Sequence, residues 1–126
     1  VAKRRKLAAL YTELLTPYFP VIKPPQQLDY CEPAWHLYAI QIEFASLEIE
    51  RAELMQELAL HGVGTQVHYI PVHIQPYYKQ RYGLMDLKGA QQYYDSTLSL
   101  PLFPAMTEAD VRFVVDAFVK ATRLCL

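Results

Sequence analysis

The stretch "HGVGTQVHYIPVHIQPYY", residues 61–78, decides how this chain folds. It holds three of the four histidines, His61, His68 and His73, with three tyrosines and two prolines. A helical pattern runs into it, and Gly62 is placed to take the left-handed conformation that ends a helix. "GTQVHYI", Gly64 to Ile70, then alternates and predicts a strand. Strand alternation puts Thr65, Val67 and Tyr69 on one face and Gln66 and His68 on the other. Pro71 and Pro76 interrupt the pattern, and a short helix is expected from Pro76 to about Arg81.

Outward from this stretch the chain punctuates itself. Before it, Glu50 to His61 predicts a helix with Leu54, Met55, Leu58 and Ala59 on one face. Earlier still, Trp35 to Phe44, "WHLYAIQIEF", is rich in aromatic and β-branched residues and predicts a strand. Its alternation is imperfect, the mark of a strand covered on both faces. Residues 16–34 form a proline-punctuated connector, and residues 2–15 a helix with Leu7, Leu10, Tyr11, Leu14 and Leu15 at helical spacing. After it come a helix over 88–97 and a short strand at "LSLPLF", whose proline suits an edge or a strand end. The last helix is capped by Thr107, has Glu108 and Asp110 in its first turn, and carries a stripe of Val111, Val114, Val115, Phe118 and Val119. The order predicts an α/β (α+β) two-layer sandwich, helices covering a small and mainly antiparallel sheet. One domain, 1–126, is expected: opening helix 1–15, connector 16–34, core 35–126.

Composition narrows the function. With 126 residues, 52% hydrophobic and 20% charged, the chain can bury a globular core. A formal charge of −1 gives no general pull toward nucleic acid or anionic membrane. The basic run Lys3 to Lys6 continues into the first helical stripe, so it reads as that helix's solvated start. Cys31 and Cys125 show no metal-type spacing, which suits a reducing compartment. No apolar run approaches the roughly 20 residues of a membrane span, and no secretory signal opens the chain. The start without Met, inside a helical pattern, suggests a piece of a longer polypeptide.

The histidines lack the spacing of a metal set, with no HExxH, HxH or CxxC pattern, so no metal is expected. Cys31 has no His near it in sequence, no GxSxG elbow is present, and the four glycines form no phosphate loop. What remains is a polar, aromatic strand end: Gln66, His68, Tyr69, His73, Gln75, Tyr77 and Tyr78. Such groups suit a hydroxyl-rich ligand, each ring offering an apolar face and a hydrogen-bonding tip. They equally suit rings packed into a core with their tips in water, and the residues alone leave both readings open.

Four blocks in order, "KRRKLAALYTELL", "HLYAIQIEF", "RAELMQELALHGVGTQVHYIPVHIQPYY" and "LSLPLFPAMTEADV", resemble the C-terminal domain of the DegT/DnrJ/EryC1/StrS nucleotide-sugar aminotransferases. The resemblance covers nearly the whole chain. "GTQVHYIPVHIQPYY" with "LSLPLFP" is most similar to the branch that aminates UDP-4-keto-6-deoxy-N-acetyl-altrosamine in pseudaminic acid synthesis. It implies the small domain of the fold-type I architecture and a cytoplasmic homodimer. It also implies pyridoxal 5'-phosphate as cofactor, held mainly by a large N-terminal domain that this chain lacks. None of Lys3, Lys6, Lys23, Lys79, Lys88 or Lys120 stands in a block matching the cofactor lysine, so the fragment alone is expected to be inactive. The resemblance places His68 and Tyr69 at the sugar-facing edge, with His73, Gln75 and Tyr77 as further substrate or partner-subunit contacts, and glutamate as amino donor. His36 reads as structural from its place near a strand start. The rival reading is a non-catalytic module that binds a nucleotide sugar or only dimerises.

Overall fold

The computed structural model describes residues 1–124. Helix α1 runs Ala2–Leu15, strand β1 Ile22–Lys23, strand β2 Tyr38–Ile42 and helix α2 Arg51–Leu60. Helices α3 (Pro76–Tyr82) and α4 (Lys88–Ser96), strand β3 (Thr97–Leu100) and helix α5 (Glu108–Thr122) follow. The sheet has the order β1-β2-β3 and is antiparallel throughout. This is the expected α/β sandwich of a small antiparallel sheet and helices.

Register separates the two faces of the sheet. Ile42 lies opposite Ile22, Ile40 opposite Leu98 and Tyr38 opposite Leu100, and all six are buried. On the other face Ala39 lies opposite Ser99, Gln41 opposite Thr97, and Lys23 opposite Gln41. β2 therefore alternates cleanly, with Gln41 exposed, instead of being covered on both faces. The inward face joins Leu7, Leu10, Tyr11 and Leu15 of α1, Leu54 and Leu58 of α2, and Val111, Val114, Val115 and Phe118 of α5 in one core. Each such side chain, fully buried, contributes roughly 1.5–3 kcal/mol. The core thus reaches back before residue 35, because α1 packs on α5 and the connector supplies β1.

Local chemistry starts the helices. Thr107 Oγ1 accepts from the Asp110 backbone N–H, and Asp110 Oδ2 accepts from the Thr107 N–H at 2.7 Å, closing a reciprocal cap. Those bonds from the Thr107 backbone and side chain hold the Asp110 carboxyl below its usual range. Glu50 and Glu53 form the matching box on α2, and Gly62 beyond that helix has φ 78°. In α2 the buried face is Leu54 and Leu58 with Met55 half-buried, while Ala59 is exposed. The arginines of the basic run do more than meet solvent: Arg4 Nη1 donates to Trp35 O at 3.3 Å and Arg5 Nε to Pro33 O at 3.2 Å, tying the connector to α1. His36 is exposed at the bend before β2, so its structural assignment does not hold.

Tyr11 and Tyr38 stack with centroids 4.8 Å apart where α1 crosses β2. Tyr11 donates to Pro101 O at 2.9 Å, and Tyr38 shares a 2.7 Å hydrogen bond with Thr12. Burial pushes the Tyr38 hydroxyl up to about 12, the Thr12 bond offsetting only part of the effect. Burial, then the neighbouring Tyr38 and Asp110, lifts Tyr11 above the ordinary tyrosine range.

The expected strand over Gly64–Ile70 is not formed. Only Gln66 pairs, as an isolated antiparallel bridge to Ser99. In that register the next hydrogen-bonded pairs would be His68 with Thr97 and Gly64 with Pro101. Pro101 has no N–H to give. The Thr97 N–H is engaged by Tyr93 O at the end of α4, and the Thr97 carbonyl accepts from Arg51 Nη1 at 3.5 Å. Arg51 also donates to Tyr94 O and lies over the Tyr94 ring, 4.8 Å from its centroid. Neither neighbouring position on β3 therefore has a free N–H with which to continue a ladder from Gln66.

Candidate functional site: the outer edge of β3

Ser99 organises this edge. Its N–H donates to Gln66 O at 2.8 Å and its carbonyl accepts from the Gln66 N–H at 3.2 Å, which holds the 65–68 segment beside β3. Gln66 and His68 share the outward side of that segment, while Thr65 is buried and Val67 packs on the core. His68 then reaches diagonally back, its Nδ1 2.9 Å from Ser99 Oγ. The imidazole is half-buried and Ser99 is only 4% exposed. Thr65 Oγ1, facing inward, is buried without a hydrogen-bond partner.

Tyr69 follows across a cis peptide bond and is 74% exposed. Its ring meets that of His68 edge to face at 4.8 Å, so the two neighbours do not diverge as strand alternation requires. The other expected site residues have separate settings. His73 is buried in the turn Val72–Ile74, and Gln75 Nε2 donates to Ile70 O at 3.1 Å, closing its own loop. Tyr77 is exposed and accepts from Arg81 Nη1 at 3.0 Å along α3. The structure thus brings His68 and Tyr69 together; among the described residues no hydrogen bond joins His73, Gln75 or Tyr77 to that pair. Ser99 was missed by sequence reasoning, although a small polar residue alternating with Leu98 and Leu100 was the available signal.

His68, half-buried, and Tyr69, exposed, form an open wall along this edge. Three surface concavities, of about 730, 930 and 500 Å³, lie elsewhere and none is lined by either residue. His61 is occupied at the end of α2, its Nδ1 2.8 Å from Glu57 O. Among the described residues, no three His, Cys, Asp or Glu side chains gather to hold a metal ion. No described helix is long and apolar enough to cross a membrane.

Residues 1–119 match the DegT/DnrJ/EryC1/StrS aminotransferase family. This chain belongs to that family. The spore coat polysaccharide biosynthesis protein SpsC of Bacillus subtilis is 38% identical over 118 residues, covering 91% of this chain and 30% of that protein. The aminotransferase PseC of Helicobacter pylori, described as involved in the biosynthesis of pseudoaminic acid, superposes with a TM-score of 0.85 at 24% identity. That likeness, one of fold, covers 97% of this chain and 32% of PseC. The putative sugar aminotransferase Spr1654 of Streptococcus pneumoniae, in its PLP form, has a TM-score of 0.82 at 26% identity, covering 97% of this chain and 31% of that one. The chain therefore spans about three-tenths of the length of each of these proteins.

Pyridoxal phosphate is bound through a lysine amine, with a carboxylate or arginine partner at its pyridine nitrogen. All six lysines of this chain are exposed, and so are Asp29, Asp86, Asp95, Asp110 and Asp116. A desolvated amine beside a buried carboxylate is not built here. The residues of this chain do not fit the cofactor.

Proposed function

We propose that this chain is the substrate-side, C-terminal domain of a pyridoxal-phosphate-dependent aminotransferase acting on a nucleotide sugar. The cofactor is held by a larger domain outside these residues. The polysaccharide role in SpsC's name supports glycan biosynthesis as its setting. The resemblance of residues 64–78 favours a 4-keto sugar of the pseudaminic acid type, with glutamate as donor, in a cytoplasmic homodimer.

The observation that carries this reading is the His68–Ser99 hydrogen bond of 2.9 Å beside the exposed Tyr69. A buried hydroxyl fixes the imidazole, and an exposed phenol stands against its edge. Two hydrogen-bonding groups are thereby held at set places on an open wall that a second domain can complete. Their task is to orient the sugar, since restricting a reactant's position lowers the barrier without any proton transfer by the wall itself. His73, Gln75 and Tyr77 lie on the turn and helix that follow, and as further contacts to the substrate or the partner subunit they rest on the resemblance alone.

The test is His68→Ala in the full-length polypeptide carrying this domain. kcat/KM for the keto-sugar nucleotide should fall about 10- to 100-fold, the range for losing a positioning hydrogen bond. Bound-cofactor absorbance and the half-reaction with glutamate should not change. Normal sugar kinetics in the variant would refute the site. The isolated 126-residue chain, assayed alongside with added cofactor, should show no turnover.

A further inference from the structure

The Ser99 hydroxyl carries information about the His68 ring. Ser99 is 4% exposed, and both of its backbone groups are engaged by Gln66. Among the described residues its Oγ has one hydrogen-bond partner, His68 Nδ1 at 2.9 Å. A neutral imidazole has one N–H and one lone pair, and a serine hydroxyl has one proton to place. If Nδ1 carried the ring proton it would donate to Oγ, and the buried serine O–H would be left without an acceptor. An unmet buried donor is the costlier arrangement. If Nδ1 is the acceptor, the serine proton is satisfied and the ring proton sits on Nε2, the nitrogen turned away from Ser99.

We propose that Ser99 is a positioning residue that fixes His68 as the Nε2–H tautomer. The wall then presents a hydrogen-bond donor and selects an acceptor oxygen on the ligand. The ring also meets the Tyr69 ring, and among the described residues no hydrogen bond or ion pair joins it to a lysine or arginine. The donor therefore suits a neutral sugar oxygen, a carbonyl or hydroxyl, over a diphosphate. This rests on the substrate-facing role proposed above for His68, and it adds the polarity of the contact and the residue that sets it.

The tautomer is read directly from nitrogen-15 shifts of histidine-labelled full-length protein, with His68→Ala identifying the resonance. Nδ1 should show the shift of an unprotonated ring nitrogen and Nε2 that of a protonated one. Ser99→Ala should lose this fixed pattern, and Ser99→Thr, which keeps the hydroxyl, should retain it. Protonated Nδ1 in the unmodified protein, or an unchanged pattern in Ser99→Ala, would overturn the assignment. In turnover, Ser99→Ala should lower kcat/KM for the keto-sugar nucleotide about tenfold, with Ser99→Thr restoring it. Inhibition by the nucleoside diphosphate alone should stay as it was. An equal loss for the diphosphate would overturn the choice of a neutral oxygen. Because the tautomer is observed without turnover, normal kinetics in His68→Ala would remove the ligand-binding role and the selectivity drawn from it, while the shifts still decide whether Ser99 sets the ring.

Discussion

Raising the pH past the ordinary tyrosine range should destabilise this domain, and the stacked pair beneath α1 sets the size of the effect. Tyr38 is fully buried and its hydroxyl is shifted from 10.0 to about 12. Between those values the folded chain keeps a proton that the unfolded chain releases, so stability falls as pH rises. The contribution is complete below the unfolded value of 10.0 and is lost through the interval up to about 12. Two pH units at about 1.4 kcal/mol each give about 3 kcal/mol from Tyr38. Tyr11, lifted in the same direction by its own burial, adds to the loss. A domain holds about 5–15 kcal/mol in total, so the decrease is a large part of the whole. Urea unfolding of the 126-residue chain, followed by circular dichroism in steps from about pH 9 to 12, measures it. Tyr38→Phe should flatten the pH dependence by its own share. A midpoint that stays constant across that interval would refute the reasoning. So would tyrosinate absorbance showing all ten tyrosines ionising near pH 10 in the folded protein.

Thr65→Val exchanges a buried hydroxyl without a partner for a methyl group of similar shape, and should leave stability unchanged or raise it by up to about 1 kcal/mol. A clear loss in the urea midpoint would show that the hydroxyl has an ordered partner after all. Thr107→Ala removes the cap of α5 and should cost about 1 kcal/mol at neutral pH. Since Thr107 also holds the Asp110 carboxyl down, the stability from that carboxyl is present above the usual carboxylate range and is lost as pH falls through its lowered value. Thermal unfolding at neutral pH and at about pH 3 should therefore differ less in Thr107→Ala than in the unmodified chain.

The parts of the fold written in local pattern were legible. The stripes of Leu7, Leu10, Tyr11 and Leu15 and of Val111, Val114, Val115 and Phe118 mark faces that are buried, Thr107 starts α5 through its side-chain cap, and Gly62 ends α2 through its positive φ. The 64–70 segment shows where such reading ends. Its alternation is real, with Thr65 and Val67 inward and Gln66 and His68 outward, but a ladder also needs free partners on the neighbouring strand. Thr97 has none to offer because Arg51, forty-six residues earlier, and the end of α4 engage its backbone. β1 was hidden because two residues among prolines carry no periodicity. The site divides the same way. His68 and Tyr69 stand out by residue type, whereas Ser99 gains its meaning from a contact across 31 positions.

The same arrangement on β3 has a bearing on self-association. An edge strand with free N–H and C=O groups invites another chain to add a strand, the route to domain swapping and fibres. On β3 that side is closed: Ser99 is paired with Gln66, Thr97 is capped from both polar groups, and Pro101 follows as a residue that cannot donate. The opposite edge, β1, is two residues long and runs directly into Pro24 and Pro25. Among the described residues neither border of the sheet offers a backbone template, so anything that docks beside it must be recognised through side chains.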